Sequence, residues 1–181
     1  LLDSHAEALL GPAHVSRFGP YLMTIMKLLD THTEPSRGGL SVQVHPPEGF
    51  VGRPAKPEMW KGRGKLYLGW RKDMTRAEIE RAVKARDVER LLNEVTLQKG
   101  DLVLVPGGLV HAIRSNTYTA EWSMAPGAAD ATGGSDLSMA TATLYDGTDG
   151  RTPRPGKEDV PSALDIMASA NGFAAAGKVL A

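Results

Sequence analysis

The sequence predicts a mainly β protein, a jelly roll or barrel of short strands with a few peripheral helices. The main observation is a series of five short apolar segments separated by turn residues, a spacing typical of that class. A capping box in mid-chain and an alanine-rich tail predict the helices. The five predicted strands are residues 95–97, 102–105, 111–114, 118–122 and 139–144.

The composition sets limits on the class of protein. At 181 residues the chain has the size of one domain, and we expect residues 1–181 to fold as one unit. Its 21 basic and 21 acidic residues cancel, which disfavours nucleic acid and membranes as partners. Cysteine is absent, which fits a reducing compartment. With no long apolar run and no leader-like start, we expect a soluble cytoplasmic protein.

Four elements are predicted in the first third of the chain. Residues 6–10 form a short helix that ends at Gly11, and the apolar run 21–29 forms a buried strand. Residues 33–39 are a loop by composition. Residues 48–64 show little periodicity and predict a long surface loop, the kind of segment that often carries functional residues.

Two short helices are predicted in an insertion at about 75–93. Thr75 and Glu78 form a capping box, so a helix starts there, and Asp87 is suited to cap a second one. We expect these helices to cover an end of the barrel. The apolar residues at helical spacing are Ile79, Ala82 and Val83 in the first and Val88, Leu91 and Leu92 in the second.

The tail from about residue 158 predicts one more helix. Leu164, Met167 and Ala168 fall on one face of it. The sequence gives this face no clear packing partner.

A short strand around His45 places polar side chains on one face. Because side chains alternate along a strand, Gln43 and His45 point to the same side, and Ser41 joins them. Val42 and Val44 face the opposite side, where they can pack in a core. The Pro-Pro pair after His45 ends the strand.

A second histidine follows a tight turn. Residues 100–111 fit a turn, an apolar strand, the Pro106-Gly107-Gly108 turn and a strand that opens with His111. We expect a hairpin that carries His111 at the start of its second strand.

Four donors from these segments form a candidate metal site. Taken singly, each histidine is more often a core residue bonded to backbone, and Glu58 a solvated carboxylate. Taken together they form a nitrogen and oxygen ligand set suited to Zn²⁺ or another divalent cation. The predicted ligands are Gln43, His45, Glu58 and His111.

These motifs resemble those of the type I mannose-6-phosphate isomerases, a family of metal-dependent cupins. The matching stretches, in family order within about 9–166, are Ser41 to Pro46, Lys56-Pro57-Glu58 and Pro106 to Ala112. Asn116 falls one residue later than the cupin pattern places it. The resemblance implies a cupin jelly-roll β-barrel and the four metal ligands named above.

The resemblance also implies an activity. Enzymes of this family interconvert mannose 6-phosphate and fructose 6-phosphate, a reversible aldose–ketose isomerisation through a cis-enediol intermediate. It places Ser41 at the sugar phosphate, and Lys56 and Glu121 in the substrate pocket. The general base stays open between Glu121, Lys56 and a metal-bound water, and the expected partner is a phosphorylated hexose.

The chain departs from the family pattern in two places. The family arginine follows a Tyr-Asp pair closely, whereas here four residues separate Asp146 from Arg151. Arg151 fills the catalytic role from a longer loop, or Arg151 and Arg154 belong to a later stretch, or both are solvated. A core strand expected after Trp60 is not evident, and the chain is either a fragment or a reduced member.

Three other functions are compatible with parts of this sequence. A non-catalytic or degenerate cupin that binds a sugar or sugar phosphate is the alternative. An iron dioxygenase is disfavoured, since such cupins pair a second histidine with the first where this chain has Gln43. The basic aromatic stretch 60–72 fits a charged surface better than a single-stranded nucleic-acid site.

Overall fold

A computed structural model describes residues 2–20, 24–32, 39–53, 55–124, 141–145, 158–170 and 172–175. Eight strands and four α-helices lie in these ranges, together with a 3₁₀ helix at Glu89–Leu91. In chain order they are α1 (Leu2–Leu10), α2 (Pro12–Phe18), β1 (Thr24–Asp30), β2 (Val42–Val44), β3 (Glu58–Trp70), α3 (Arg76–Lys84), β4 (Leu92–Leu97), β5 (Leu102–Val105), β6 (His111–Ile113), β7 (Tyr118–Met124), β8 (Ala142–Tyr145) and α4 (Val160–Ala170).

The strands form one antiparallel network in the order β1-β7-β3-β6-β2-β8, with β4 and β5 also paired to β3. The predicted mainly β fold with peripheral helices is confirmed. Within the described ranges β1 and β8, at the two ends of the path, do not pair with each other, so the barrel is not closed there. That residues 1–181 form a single domain stays a prediction.

The long strand β3 joins the two halves of the network. Its first part, from Glu58, pairs with β5 and β7, and its last part, to Trp70, pairs with β4 and β6. Gly62 allows the close approach of β7, because a Cβ there would lie 2.0 Å from the Tyr118 carbonyl oxygen. Gly62 therefore lies where the backbones of β3 and β7 approach each other closely.

Two apolar cores lie on the two faces of the half of the network that contains the last part of β3. One core brings both halves together through Trp60, Leu66, Leu68, Leu97, Val103, Val105 and Ile113. The other lies under the helices and contains Val42, Val44, Tyr67 and Trp70 with residues of α3 and α4. Even-numbered residues of β3 from Glu58 to Leu68 therefore face the first core and the candidate site, whereas Trp70, after a register shift, lies in the second core.

The helices agree with the sequence in part. The Thr75–Glu78 capping box is present, and Ile79, Ala82 and Val83 are buried as predicted. The predicted helix after Asp87 is wrong: a single 3₁₀ turn begins after Val88, and Leu92 already belongs to β4. Pairing of Leu92 with Trp70 of β3 outweighs the local helical spacing. Among the described residues no helix is long and apolar enough to span a bilayer.

The C-terminal helix is confirmed as α4, and it packs on β8 and β2. Its buried residues are Ala163, Leu164, Ile166 and Met167, whereas Ala168 is exposed. The N-terminal helix starts earlier than predicted, at Leu2, and a second helix, α2, follows the Gly11 stop.

Three predictions about strands need correction. The run 21–29 forms a strand over its described part, but β1 is half-exposed, with Met26 58% and Leu28 65% exposed. The cause is its position at the edge, since among the described strands β1 pairs with β7 alone. Residues 58–64 are strand and not surface loop, so no strand is missing after Trp60.

The predicted hairpin around Gly107 is wrong. Within the described residues β5 and β6 both pair with β3, at Glu58–Lys61 and at Leu66–Leu68, and not with each other. A 13-residue strand is long enough to accept both in succession. The Pro106-Gly107-Gly108 turn therefore carries the chain along β3 from one half to the other.

Candidate metal centre

Glu58, at the start of β3, occupies the middle of a buried cluster. Its Oε1 atom lies 2.5 Å from the Lys56 ammonium and 3.0 Å from His45 Nε2. Its Oε2 atom accepts a hydrogen bond from the Trp60 indole at 3.1 Å and lies 3.7 Å from His111 Nε2. The carboxylate is thus held by residues two positions away on either side and faces both histidines.

His111 is oriented by the backbone. Its Nδ1 atom lies 2.8 Å from the Leu109 carbonyl oxygen, which can only accept, so Nδ1 carries the proton. Nε2 is then a bare lone pair, completely buried and, among the residues that the structure describes, without a hydrogen-bond partner. Trp60 packs edge-on against the ring, with 5.2 Å between ring centroids. An unsatisfied buried acceptor of this kind is rare, and a bound cation would satisfy it.

His45 follows β2 and turns into the same space. Its backbone carbonyl accepts from the Gly108 amide at 2.7 Å. Its ring lies 4.8 Å from that of His111, centroid to centroid. The Pro106-Gly107-Gly108 turn therefore brings the two histidines together, and a side chain at Gly107 would meet Pro46 and Pro47.

One donor atom each from His45, Glu58 and His111 lies within 4.8 Å of the others, and all three residues are buried. Two imidazoles and a carboxylate are a common ligand set for divalent cations. The Lys56 ammonium, held between Glu58 Oε1 and His45 Nε2, shows that the cluster already attracts positive charge. The residues present therefore fit a divalent metal.

The electrostatics favour the protonation states that ligands need. Burial alone would raise the pKa of the Glu58 carboxyl, but the hydrogen bond with His45 and nearby positive charge hold that pKa far below its usual range. Burial, with the neighbouring His45, lowers the pKa of His111 to about 3. At neutral pH the site thus offers an ionised carboxylate and a neutral imidazole.

Gln43 lies beside this group. In the strand register it is directly opposite His111 on β6. Directly opposed residues of an antiparallel pair share a face, so Gln43 belongs to the inner face with His111. Its assignment as a fourth ligand stays a prediction, as does the role of Ser41, which is half-buried just before β2.

Lys56 and Glu121, predicted to line the substrate pocket, are both buried, each 4% exposed. Glu121 lies opposite Trp60 on β7, on the face that carries Glu58. Burial and the charge of Glu58 raise the pKa of the Glu121 carboxyl, an effect that the Lys27 ammonium, 2.5 Å away, opposes only in part.

Three residues near the site were not predicted from the sequence. Lys27 of β1 pairs with Glu121, Trp60 donates to Glu58, and Thr141 lies 3.2 Å from His45 Nδ1. Alternation along β3 could have revealed Trp60, two residues from Glu58. Lys27 and Thr141 belong to no motif of the ligands, and only strand pairing brings them near. Arg151 and Arg154 lie outside the described residues.

No protein-family model matches the chain, and no curated protein matches it. Several solved structures match the chain. Mannose 6-phosphate isomerase from Bacillus subtilis is 21% identical, with a TM-score of 0.64, over 95% of this chain and 53% of that one. A candidate mannosephosphate isomerase from Archaeoglobus fulgidus is 20% identical, with a TM-score of 0.54, over 80% and 44%.

A lysine-to-alanine variant of phosphomannose isomerase from Salmonella typhimurium is 15% identical, with a TM-score of 0.53, over 92% of this chain and 60% of that one. At these identities the similarity establishes a shared fold, and it confirms the predicted cupin-like β architecture. The chain spans between 44% and 60% of the length of these three structures.

Proposed function

We propose that the chain is a metal-dependent aldose–ketose isomerase that interconverts mannose 6-phosphate and fructose 6-phosphate through a cis-enediol intermediate. The observation that supports this most strongly is the buried cluster of His45, Glu58 and His111, with the bare Nε2 lone pair of His111 directed into it. The cluster lies in a fold that the chain shares with mannose 6-phosphate isomerases.

Zn²⁺ or another divalent cation is the proposed cofactor, held by Gln43, His45, Glu58 and His111. Such an ion, when bound, supplies a Lewis acid that stabilises negative charge on the sugar oxygens. Trp60 supports this role because its indole fixes the second oxygen of Glu58. Partners that orient ligands in this way commonly tune metal affinity.

The reaction moves a proton between C1 and C2 of the open-chain sugar, so it needs a base beside the metal site. Glu121 is our proposed base. It faces the same space as Glu58, and its raised pKa brings it closer to the operating pH, where a general base is most effective.

The remaining roles concern substrate binding. Lys56 is buried beside Glu58 and can donate to sugar hydroxyls without leaving the site. We propose that Ser41 binds the phosphate and that Arg151 supplies a second positive charge to it. A cytoplasmic location likewise stays a prediction.

A second candidate is a non-catalytic cupin that binds a sugar phosphate without turnover. It is favoured by the spacing after Asp146, which places Arg151 further along the chain than the resemblance requires. The two candidates share the metal site and differ in whether a proton is transferred.

A coupled assay of purified protein with mannose 6-phosphate, with and without Zn²⁺, tests the proposal. We expect turnover that a chelator abolishes and added Zn²⁺ restores. His111→Ala should abolish turnover and metal retention together, while His5→Ala, at an exposed histidine of α1, should leave both unchanged. A folded, metal-loaded protein that turns over no phosphorylated hexose would exclude the isomerase and leave the non-catalytic sugar-phosphate-binding function.

A further inference from the structure

Thr141 meets His45 in the strand register. Val44 of β2 is paired with Ala142 of β8, so the next pair of that antiparallel ladder would be His45 and Thr141. The Thr141 hydroxyl oxygen lies 3.2 Å from His45 Nδ1. The hydroxyl thus lies on the side of the ring opposite Glu58.

The two histidines are oriented by different kinds of partner. His111 donates from Nδ1 to a carbonyl oxygen, which has no proton to give, so its tautomer is set by the backbone. The Thr141 hydroxyl can donate or accept. At the other side of the His45 ring, Nε2 lies 3.2 Å from the Lys56 ammonium, which can only donate, and 3.0 Å from Glu58 Oε1, which can only accept. These two partners favour opposite tautomers, so the hydroxyl at Nδ1 is the group that decides between them, and it accepts from Nδ1–H when Nε2 is left free for a cation.

We propose that Thr141 is a positioning residue that holds His45 in the Nδ1–H tautomer, with the Nε2 lone pair directed at the metal site. The inference rests on the proposed metal-dependent function. It adds a side-chain hydroxyl that orients one ligand, just as the Leu109 carbonyl orients the other. Residues that fix a ligand's tautomer in this manner are worth about 10-fold to 100-fold in metal affinity.

A polar cluster anchors the segment that carries Thr141. Arg53 donates to the Thr141 carbonyl at 3.5 Å and binds Asp159 and Ser162, each at 3.0 Å. The Asp159 amide in turn donates to the Thr143 carbonyl at 2.8 Å. Arg53, in the loop after β2, therefore holds the Thr141 carbonyl, and Asp159, just before α4, holds the backbone two residues further on. The segment that carries the Thr141 hydroxyl is fixed at both places.

Two measurements on full-length protein test this role. The first is Zn²⁺ affinity by competition with a chelating dye, for Thr141→Val, Thr141→Ala and Thr141→Ser. Valine keeps the shape and loses the hydroxyl, and serine keeps the hydroxyl. We expect valine and alanine to weaken Zn²⁺ binding about 10-fold to 100-fold, and serine to restore it. Thr96→Val, at an exposed threonine of β4, is the matched control and should have no effect.

The second measurement is the tautomer of His45 in metal-free protein, read from the ¹⁵N shifts of its ring, with signals assigned through His45→Asn. We expect Nδ1–H in the parent and in Thr141→Ser, and a mixture of tautomers in Thr141→Val. Unchanged affinity and tautomer in folded Thr141→Val or Thr141→Ala would overturn the inference. A parent that binds no Zn²⁺ would refute the proposed function, and the ring shifts alone would then decide the role of Thr141.

Discussion

The ammonium of Lys56 lies 2.5 Å from Glu58 Oε1, the carboxylate oxygen that is also 3.0 Å from His45 Nε2. A divalent cation bound by Glu58 and His45 would share this oxygen with Lys56. Like charges at such short range repel strongly in a buried site. Metal binding and the contact between Lys56 and Glu58 are therefore in competition.

Replacing Lys56 should separate metal affinity from turnover. In Lys56→Met the competing ammonium is lost, so we expect Zn²⁺ to bind at least as tightly as in the parent while turnover falls. Dye competition and the coupled assay measure the two quantities. Lys61→Met, at an exposed lysine of β3, is the control. A Lys56→Met protein with weaker Zn²⁺ binding would contradict the competition.

Glu121→Gln should lower turnover by about 10²-fold to 10⁴-fold, the usual contribution of a general base, with Zn²⁺ content unchanged. The amide has nearly the same shape but cannot take up a proton. A base must be ionised to act, and the pKa of the Glu121 carboxyl lies above the ordinary 4.5. Parent turnover should therefore fall as the pH drops through that raised value, and the variant should lack this acid limb. Full activity in Glu121→Gln would exclude Glu121 as the base.

The capping box of α3 predicts a pH dependence of stability. Hydrogen bonds from the Thr75 backbone and hydroxyl lower the pKa of Glu78 from 4.5 to about 2. A carboxyl with a lowered folded-state pKa stabilises fully above its unfolded pKa, and this contribution is lost as the pH falls through the folded value. Glu78→Gln should therefore destabilise at pH 7, and its difference from the parent should shrink between about pH 4.5 and pH 2.

Urea unfolding of the parent and Glu78→Gln across this pH range measures the effect. Glu80→Gln, on the exposed face of the same helix, serves as the control and should show no comparable loss. A Glu78→Gln difference that is constant with pH would show that the carboxylate is not what stabilises the start of α3.

Gly62→Ala should destabilise the fold by about 3 kcal/mol, at the upper end of overpacking effects. The new Cβ would lie 2.0 Å from the Tyr118 carbonyl oxygen, a backbone atom that cannot move away without breaking the pairing of β3 and β7. Urea unfolding of the parent and of Gly62→Ala measures this loss in the free energy of unfolding. Lys61→Ala, one residue earlier and exposed, should change this free energy by less than about 0.5 kcal/mol. Equal effects from the two variants would contradict the close approach of β3 and β7.

The sequence predicted the grouping of His45, Glu58 and His111 better than the paths of the strands around it. Alternation about His45 and the glycine turn before His111 depend on local chemistry, so both histidines and Glu58 were identified from short motifs. The pairing of β5 and β6 was not, because a turn that looks like a hairpin is locally indistinguishable from one that passes between two parts of β3. Pairing is a property of distant residues, and no local pattern encodes it.

The same limit explains what was missed around the site. Thr141 and Lys27 reach His45 and Glu121 only through strand register, and each alone is an ordinary strand residue. Burial of 21–29 was overestimated for a related reason, since hydrophobicity does not tell whether a strand lies at the edge or the centre of a sheet. The capping box at Thr75, which involves four consecutive residues, was predicted in full.

Crystals grown with Zn²⁺ and measured at the zinc absorption edge test the central claim most directly. We predict one strong anomalous peak within about 2.0–2.2 Å of His45 Nε2, His111 Nε2 and a Glu58 oxygen, with the Gln43 amide oxygen near it. A fully zinc-loaded protein whose anomalous peaks all lie elsewhere, with these side chains bound only to one another, would contradict the claim.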